Sequence, residues 1–144
     1  MSRKTVRIVL AEIALALLFA TLAIPQSPKA SAHHVVFQMS EPEAEWGPLI
    51  AHVMNLRAAF QKDGGVEIEV VFFGPGINML RRSNVDFAEN LRRLADQGVA
   101  LTACQNSMRD RGIKTEDLFP FAGQVDSGVA QLARRQEAGW AYIK

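Results

Sequence analysis

The sequence contains one cysteine, Cys104, in 144 residues, so no disulfide can form within the chain. The Cys-x-x-Cys and His-Glu-x-x-His patterns of zinc sites and the glycine spacings of nucleotide-binding loops are missing. The three histidines (His33, His34 and His52) suggest a metal only as a copper site at an N-terminus newly formed by cleavage. We favour instead a position in the first strand for His34 and on a helix surface for His52. We therefore predict no metal and no cofactor. The lone thiol is then buried and inert, bonded to another molecule, or reactive.

Long uninterrupted apolar runs are also missing. The longest run, 8–24, is shorter than the roughly 20 residues that span a bilayer, and Glu12 interrupts it. Basic residues precede the run, and the small residues 30–32 follow it after a polar stretch, which is typical of a secretory signal peptide. The sequence thus predicts a cleavable leader over residues 1–32 and a periplasmic or secreted product, and it disfavours a retained membrane anchor.

A large excess of charge of one sign is absent as well. The whole chain carries +1, and loss of residues 1–32 removes four basic residues and one acidic residue. The remaining domain has a net charge of about −2, which gives no electrostatic reason to bind nucleic acid or an anionic membrane. The arginine pairs 81–82, 92–93 and 134–135 are typical of solvated helix faces, and only the first is considered for attracting a small anion.

Strand-like and helix-like segments alternate through residues 33–144, without a repeat or a linker. The predicted strands are 34–39, 66–73, 99–103, 121–125 and 140–143. Strands separated by helices pair in parallel through right-handed crossovers. The sequence therefore predicts one α/β domain, a three-layer α/β/α sandwich around a mainly parallel five-stranded sheet.

The starts of the first and last helices are predicted from capping patterns. Ser40 and Glu43 match a capping box before the first helix. Asp126 or Ser127 caps the last helix. Three residues of that last helix are expected to face the sheet: Val129, Leu132 and Ala133.

Cys104 is predicted at the carboxyl end of the third strand, the edge where parallel sheets gather ligands. A helical turn follows, with Asn106 or Ser107 as its cap. Free amides at a helix start favour negative charge, so this position would lower the pKa of the thiol and stabilise a thiolate or a persulfide. The alternative from the residues alone is a buried, apolar cysteine.

The Gly74-Pro75-Gly76 loop ends the neighbouring strand at the same edge. Glycines there let backbone approach a ligand closely, although a plain turn explains the same residues. The candidate site is therefore Cys104 as the catalytic thiol, with Gly74, Gly76, Gln105 and Asn106 as ligand-binding residues.

Three segments, 69–76, 98–107 and 128–143, resemble the DsrE/DsrF-like family. The resemblance spans nearly all of the predicted domain and implies a compact α/β/α fold with a five-stranded parallel sheet. It also implies homo-oligomers, commonly trimers or hexamers. In sulfur-relay members, the cysteine that corresponds to Cys104 carries sulfane sulfur as a persulfide between partner proteins. This chain departs from the well-described cytoplasmic relays by its predicted signal peptide.

Two hypotheses follow from the sequence. The first is an exported, sulfurtransferase-like carrier of sulfane sulfur that acts through Cys104 and exchanges sulfur with a thiol or persulfide partner. The alternative is a non-catalytic, oligomeric module that binds a small ligand or a partner, with Cys104 as an apolar wall.

Overall fold

The computed structural model describes residues 31 and 33–144. The predicted signal peptide lies almost wholly outside the described residues. Within the described part, no helix is both long enough and apolar enough to cross a bilayer.

Five strands form one sheet, and every neighbouring pair is parallel. They are β1 (His33–Met39), β2 (Val66–Phe72), β3 (Ala100–Cys104), β4 (Gly123–Val125) and β5 (Ala141–Ile143). The order across the sheet is β4-β3-β2-β1-β5. The central strands are continuous apolar runs because both of their faces are covered. The predicted five-stranded parallel sheet is confirmed.

Four α-helices and a longer 3₁₀ segment connect the strands. The helices are α1 (Gly47–Phe60), α2 (Val85–Asp96), α3 (Gln105–Asp110) and α4 (Gly128–Glu137), and the 3₁₀ segment is Gly74–Leu80. The first three crossovers step in one direction along the sheet, whereas the last returns from β4 to β5. Since crossovers are right-handed, α1 to α3 lie on one face of the sheet, and α4 is the one helix of residues 33–144 on the other face. The predicted α/β/α sandwich is confirmed, with unequal layers.

The two faces of the sheet differ in the size of their cores. On the face of α1 to α3, twenty buried residues form one apolar cluster, which includes Phe72, Leu80 and Leu94. On the face of α4 the cluster has four members: Val36, Val71, Leu132 and Trp140. The helix that closes this second face therefore has little apolar contact to fix its position.

Of the three α4 residues predicted to face the sheet, two are exposed, so the prediction is wrong for them. Leu132 is buried, but Val129 is 64 % exposed and Ala133 is also exposed. Among residues 33–144, α4 is the one helix that covers this face of the sheet, so only a narrow row of its side chains is enclosed.

The predicted capping box at Ser40 is also wrong. The chain makes a single 3₁₀ turn over Glu43–Glu45, and α1 begins at Gly47 with Pro48 in its first turn. A helix running from Ser40 would place Pro48 in its interior, where the ring clashes with the preceding turn and one hydrogen bond is lost. The Ser40 hydroxyl oxygen instead accepts a hydrogen bond from the side-chain amide of Gln38 at 2.8 Å.

Candidate functional site

Cys104 lies where β3 passes into α3 without a loop. It is the last residue of the strand and the N-cap of the helix, which begins at Gln105. The predicted caps, Asn106 and Ser107, are wrong: they are the second and third residues of α3, and their amides belong to its unpaired first turn. The Cys104 residue is buried, with 4 % of its surface exposed.

The surroundings of the sulfur favour its ionised form. Burial raises the pKa of the Cys104 thiol, but the amides of Ser107 and Gly128, the hydroxyl of Ser107 and the amide of Asn106 together lower it by more. The Cys104 side chain makes no capping hydrogen bond with α3. Backbone amides near a sulfur stabilise its negative charge more than they stabilise the neutral thiol.

Ser107 links this site to the Gly-Pro-Gly loop. The Gly74 amide donates to the Ser107 hydroxyl oxygen at 2.9 Å, and that hydroxyl in turn interacts with the Cys104 sulfur. Gly74 has a φ of +52°, a left-handed conformation that turns its amide toward α3. Gly74 thus acts on the sulfur through Ser107, which the sequence analysis considered only as a cap.

The other predicted binding residues lie in different surroundings. Gly76 is buried at the end of β1, where a Cβ would stand 2.3 Å from the Met39 carbonyl oxygen. The exposed side chain of Gln105 donates to Gln124 at 3.5 Å. The exposed Asn106 side chain accepts from Arg109, while its backbone amide faces the sulfur. The structure therefore brings Gly74 and Asn106 to the thiol through backbone groups, Gln105 adjoins it in sequence, and Gly76 positions the loop.

Gly128 is the site residue that the sequence analysis missed. It is the first residue of α4, whose N-cap, Ser127, accepts from the Ala130 amide at 3.3 Å. A Cβ on Gly128 would stand 3.2 Å from the Cys104 Cβ and 3.0 Å from the Phe73 ring. Only a residue without a side chain lets α4 approach this closely, so the starts of two helices meet at one sulfur.

We expect Gly128→Ala to weaken this approach. The added methyl meets the Cβ atoms of Phe73 and Cys104, which cannot rotate away, so the first turn of α4 moves outward. The pKa of the thiol should then rise, and the rate of alkylation near neutral pH should fall severalfold. Gly123→Ala is the matched control, since its nearest neighbour is an oxygen at 3.8 Å. Equal alkylation rates in both variants would contradict the prediction.

The histidines do not gather around a metal position. His33 stacks on Phe60 with ring centroids 4.1 Å apart, and His34 lies 3.5 Å from Glu67. His52 is exposed on α1. Among residues 31 and 33–144, no three His, Cys, Asp or Glu side chains converge as metal ligands.

A cavity of about 530 Å³ adjoins the Gly-Pro-Gly loop. Its wall includes Trp46, Pro75, Asn78 and Arg81. The Arg81 Nε atom is buried and has no hydrogen-bond partner in the described part of the chain. This cavity has room for a small molecule, and its wall carries two acidic residues, Glu43 and Asp86, as well as the basic Arg81.

Comparisons with known proteins agree with this architecture. The model of the DsrE/DsrF-like family matches residues 33–144. A protein of unknown function from Methanobacterium thermoautotrophicum, MTH1491, is 38 % identical, with a TM-score of 0.72 over 77 % of this chain and 97 % of that one. The ychN protein from E. coli is 14 % identical, with a TM-score of 0.61 over the same shares, and supports the fold alone. A search of curated proteins gave no match.

Proposed function

Because this chain belongs to the DsrE/DsrF-like family, which is related to sulfur relay, we propose that it is an exported carrier of sulfane sulfur. Cys104 is the carrier thiol. The observation that supports this most directly is the position of Cys104 at the N-cap of α3, where a Cβ on Gly128, the first residue of α4, would stand 3.2 Å from the Cys104 Cβ. The backbone amides of Asn106, Ser107 and Gly128 lower the pKa of this thiol. These donors favour a thiolate, and they would equally favour the terminal charge of a persulfide.

The transfer is an exchange without net oxidation. The Cys104 thiolate attacks the outer sulfur of a donor such as thiosulfate, a new S–S bond forms, and sulfite leaves with the electron pair of the broken bond. An acceptor thiolate then attacks the outer sulfur of the persulfide and regenerates the Cys104 thiolate. With 4 % of the residue exposed, each exchange takes place at a nearly enclosed sulfur.

We further propose that the protein works as a homo-oligomer, a trimer or a hexamer, in the periplasm or outside the cell. Its partner would be a protein that presents a thiol or a persulfide. The chemistry needs no cofactor, because Cys104 supplies the nucleophile and backbone amides supply the charge stabilisation.

The direct test is sulfur loading. The purified chain without residues 1–32 is incubated with thiosulfate or with polysulfide, and its intact mass is measured before and after reduction. We expect the mass of added sulfur on the native protein and its loss after a thiol reductant. An unmodified mass with several donors would overturn the proposal.

The pH dependence of alkylation tests the thiolate independently. Only the thiolate reacts with iodoacetamide, so the rate should rise with pH around a midpoint below that of the same protein unfolded in denaturant. Because the folded pKa is the lower one, the ionised thiol stabilises the fold above the unfolded pKa, and this contribution disappears as pH falls through the folded pKa. A folded-state midpoint at or above the unfolded one would contradict this prediction.

A second candidate function is a module that binds a small ligand without catalysis. The cavity of about 530 Å³ beside the Gly-Pro-Gly loop favours it, as does the burial of Cys104. The same alkylation experiment separates the two candidates, since a binding module would show no labelling until the protein unfolds.

A further inference from the structure

A buried carboxylate lies within the apolar strand β2. The Glu69 side chain is 3 % exposed, and both of its oxygens are hydrogen-bonded. The Thr102 hydroxyl donates to Oε1 at 2.7 Å, and the side-chain amide of Gln131 donates to Oε1 at 3.1 Å and to Oε2 at 3.0 Å. The Arg135 guanidinium donates to Oε2, and it also lies over the Trp140 ring at 4.1 Å.

These donors connect α4 to the centre of the sheet. Thr102 belongs to β3, two residues before Cys104 on the same face, while Gln131 and Arg135 belong to α4. Gln131 lies three residues after Gly128, within one helical turn, and Arg135 lies one turn further. The carboxylate therefore holds the same helix whose first amide faces the Cys104 sulfur.

Stability alone is a weak explanation for this cluster. Burying a carboxylate and a guanidinium costs desolvation, and apolar residues of similar volume are often at least as stabilising. The four-residue apolar cluster beneath α4 is small, so it constrains the position of the helix only loosely. A charged and fully hydrogen-bonded cluster, in contrast, has one geometry that satisfies every donor.

We propose that Glu69 is a positioning residue, whose carboxylate fixes α4 on the sheet so that the Gly128 amide stays at the Cys104 sulfur. This inference rests on the proposed function only in taking Cys104 as the reacting group. Arg135, treated in the sequence analysis as part of a solvated face, is half-buried and is the charged partner in this arrangement.

The direction in which the pH midpoint of Cys104 alkylation moves separates a positioning role of Glu69 from a direct electrostatic effect of its charge. Replacing Glu69 with glutamine removes a negative charge, which by itself would favour the thiolate and lower the pKa of the thiol. Loss of the anchor has the opposite effect, because the Gly128 amide moves away. We expect the pH midpoint of Cys104 alkylation in Glu69→Gln to rise by roughly one unit.

Gln131→Met provides a milder second variant, since it keeps the Glu69–Arg135 pair and removes one anchor of the helix. Its midpoint should also rise, by less. Asp126→Asn is the matched control: it breaks an exposed ion pair with Arg134 within the last crossover and leaves the Glu69 cluster intact. The Arg134 side chain holds the pKa of Asp126 at about 2, so this acid stays ionised throughout the titration.

Thermal melts of each variant accompany the titrations. A lower melting temperature with an unchanged or lowered midpoint in both Glu69→Gln and Gln131→Met would overturn the inference and leave a structural role only. A raised midpoint in both, with Asp126→Asn unchanged, would support it. Alkylation needs no sulfur donor, so failure of sulfur loading would count against the proposed function without affecting this result.

Discussion

Replacing Gly76 with alanine should destabilise the fold by about 3 kcal/mol or more. The added methyl carbon would stand 2.3 Å from the Met39 carbonyl oxygen and 2.7 Å from its carbonyl carbon. Both atoms are backbone at the end of β1, where the Met39 carbonyl accepts from the Phe73 amide at 3.1 Å. Because no side-chain rotation can relieve this contact, either the loop or the strand end must move.

The loss is measured by denaturant unfolding of the two proteins side by side. Gly47→Ala is the control of the same chemical change, since nothing lies within 4 Å of its added methyl. The free energy of unfolding of that control should stay unchanged or rise by less than about 1 kcal/mol, because alanine reduces the conformational freedom of the unfolded chain. An unfolding midpoint in Gly76→Ala equal to that of the control would show that the loop does not approach β1 this closely.

The second large effect concerns chemistry. Cys104→Ser should abolish sulfur loading, since an alkoxide or hydroxyl cannot form a persulfide. The fold should persist, because serine is close in size to cysteine and is a preferred N-cap whose oxygen can accept from the first-turn amides of α3. Intact mass after incubation with thiosulfate or polysulfide should then show an adduct on the native chain and none on the variant.

Ser107→Ala is the matched control for that experiment. It keeps the thiol and removes the hydroxyl that connects Gly74 to the sulfur, so loading should slow without disappearing. An adduct on Cys104→Ser equal to that on the native chain would place the sulfur elsewhere and contradict the role of Cys104.

The architecture was predictable from the sequence because its signals are local. The apolar runs around β1, β2 and β3, separated by amphipathic segments, determine parallel pairing once crossovers are right-handed. The position of Cys104 at a strand end follows from the same pattern. The starts of helices were harder to predict. Ser40 matched a capping box, whereas the residue that prevents a helix from starting there, Pro48, lies eight positions later.

The environment of the thiol was only partly predictable. The amides of Asn106 and Ser107 are close to Cys104 in sequence, so a helix start after the strand predicts them. Gly128 lies 24 positions away in sequence, and no local pattern distinguishes it from a glycine at any helix start. Its role becomes visible only from the distance between α4 and β3.

The glutamates of β2 show the same difficulty. Glu67 and Glu69 point to the same face of the sheet because side chains alternate along a strand. Glu67 is exposed beside His34, whereas Glu69 is buried beneath α4. The partners of Glu69 on α4 lie more than 60 positions away in sequence, so no pattern within β2 could separate the buried acid from the exposed one.

The position of α4 on the second face also determines when the cysteine becomes enclosed as the fold forms. Along the chain, β1 to β4 and the buried residues of the larger core precede α4, and this part of the sheet already contains the cysteine. Until α4 follows, the sulfur has only the donors from α3 and no cover from Gly128. The thiol is therefore enclosed only when the last helix docks, which makes its burial one of the final events in forming the fold.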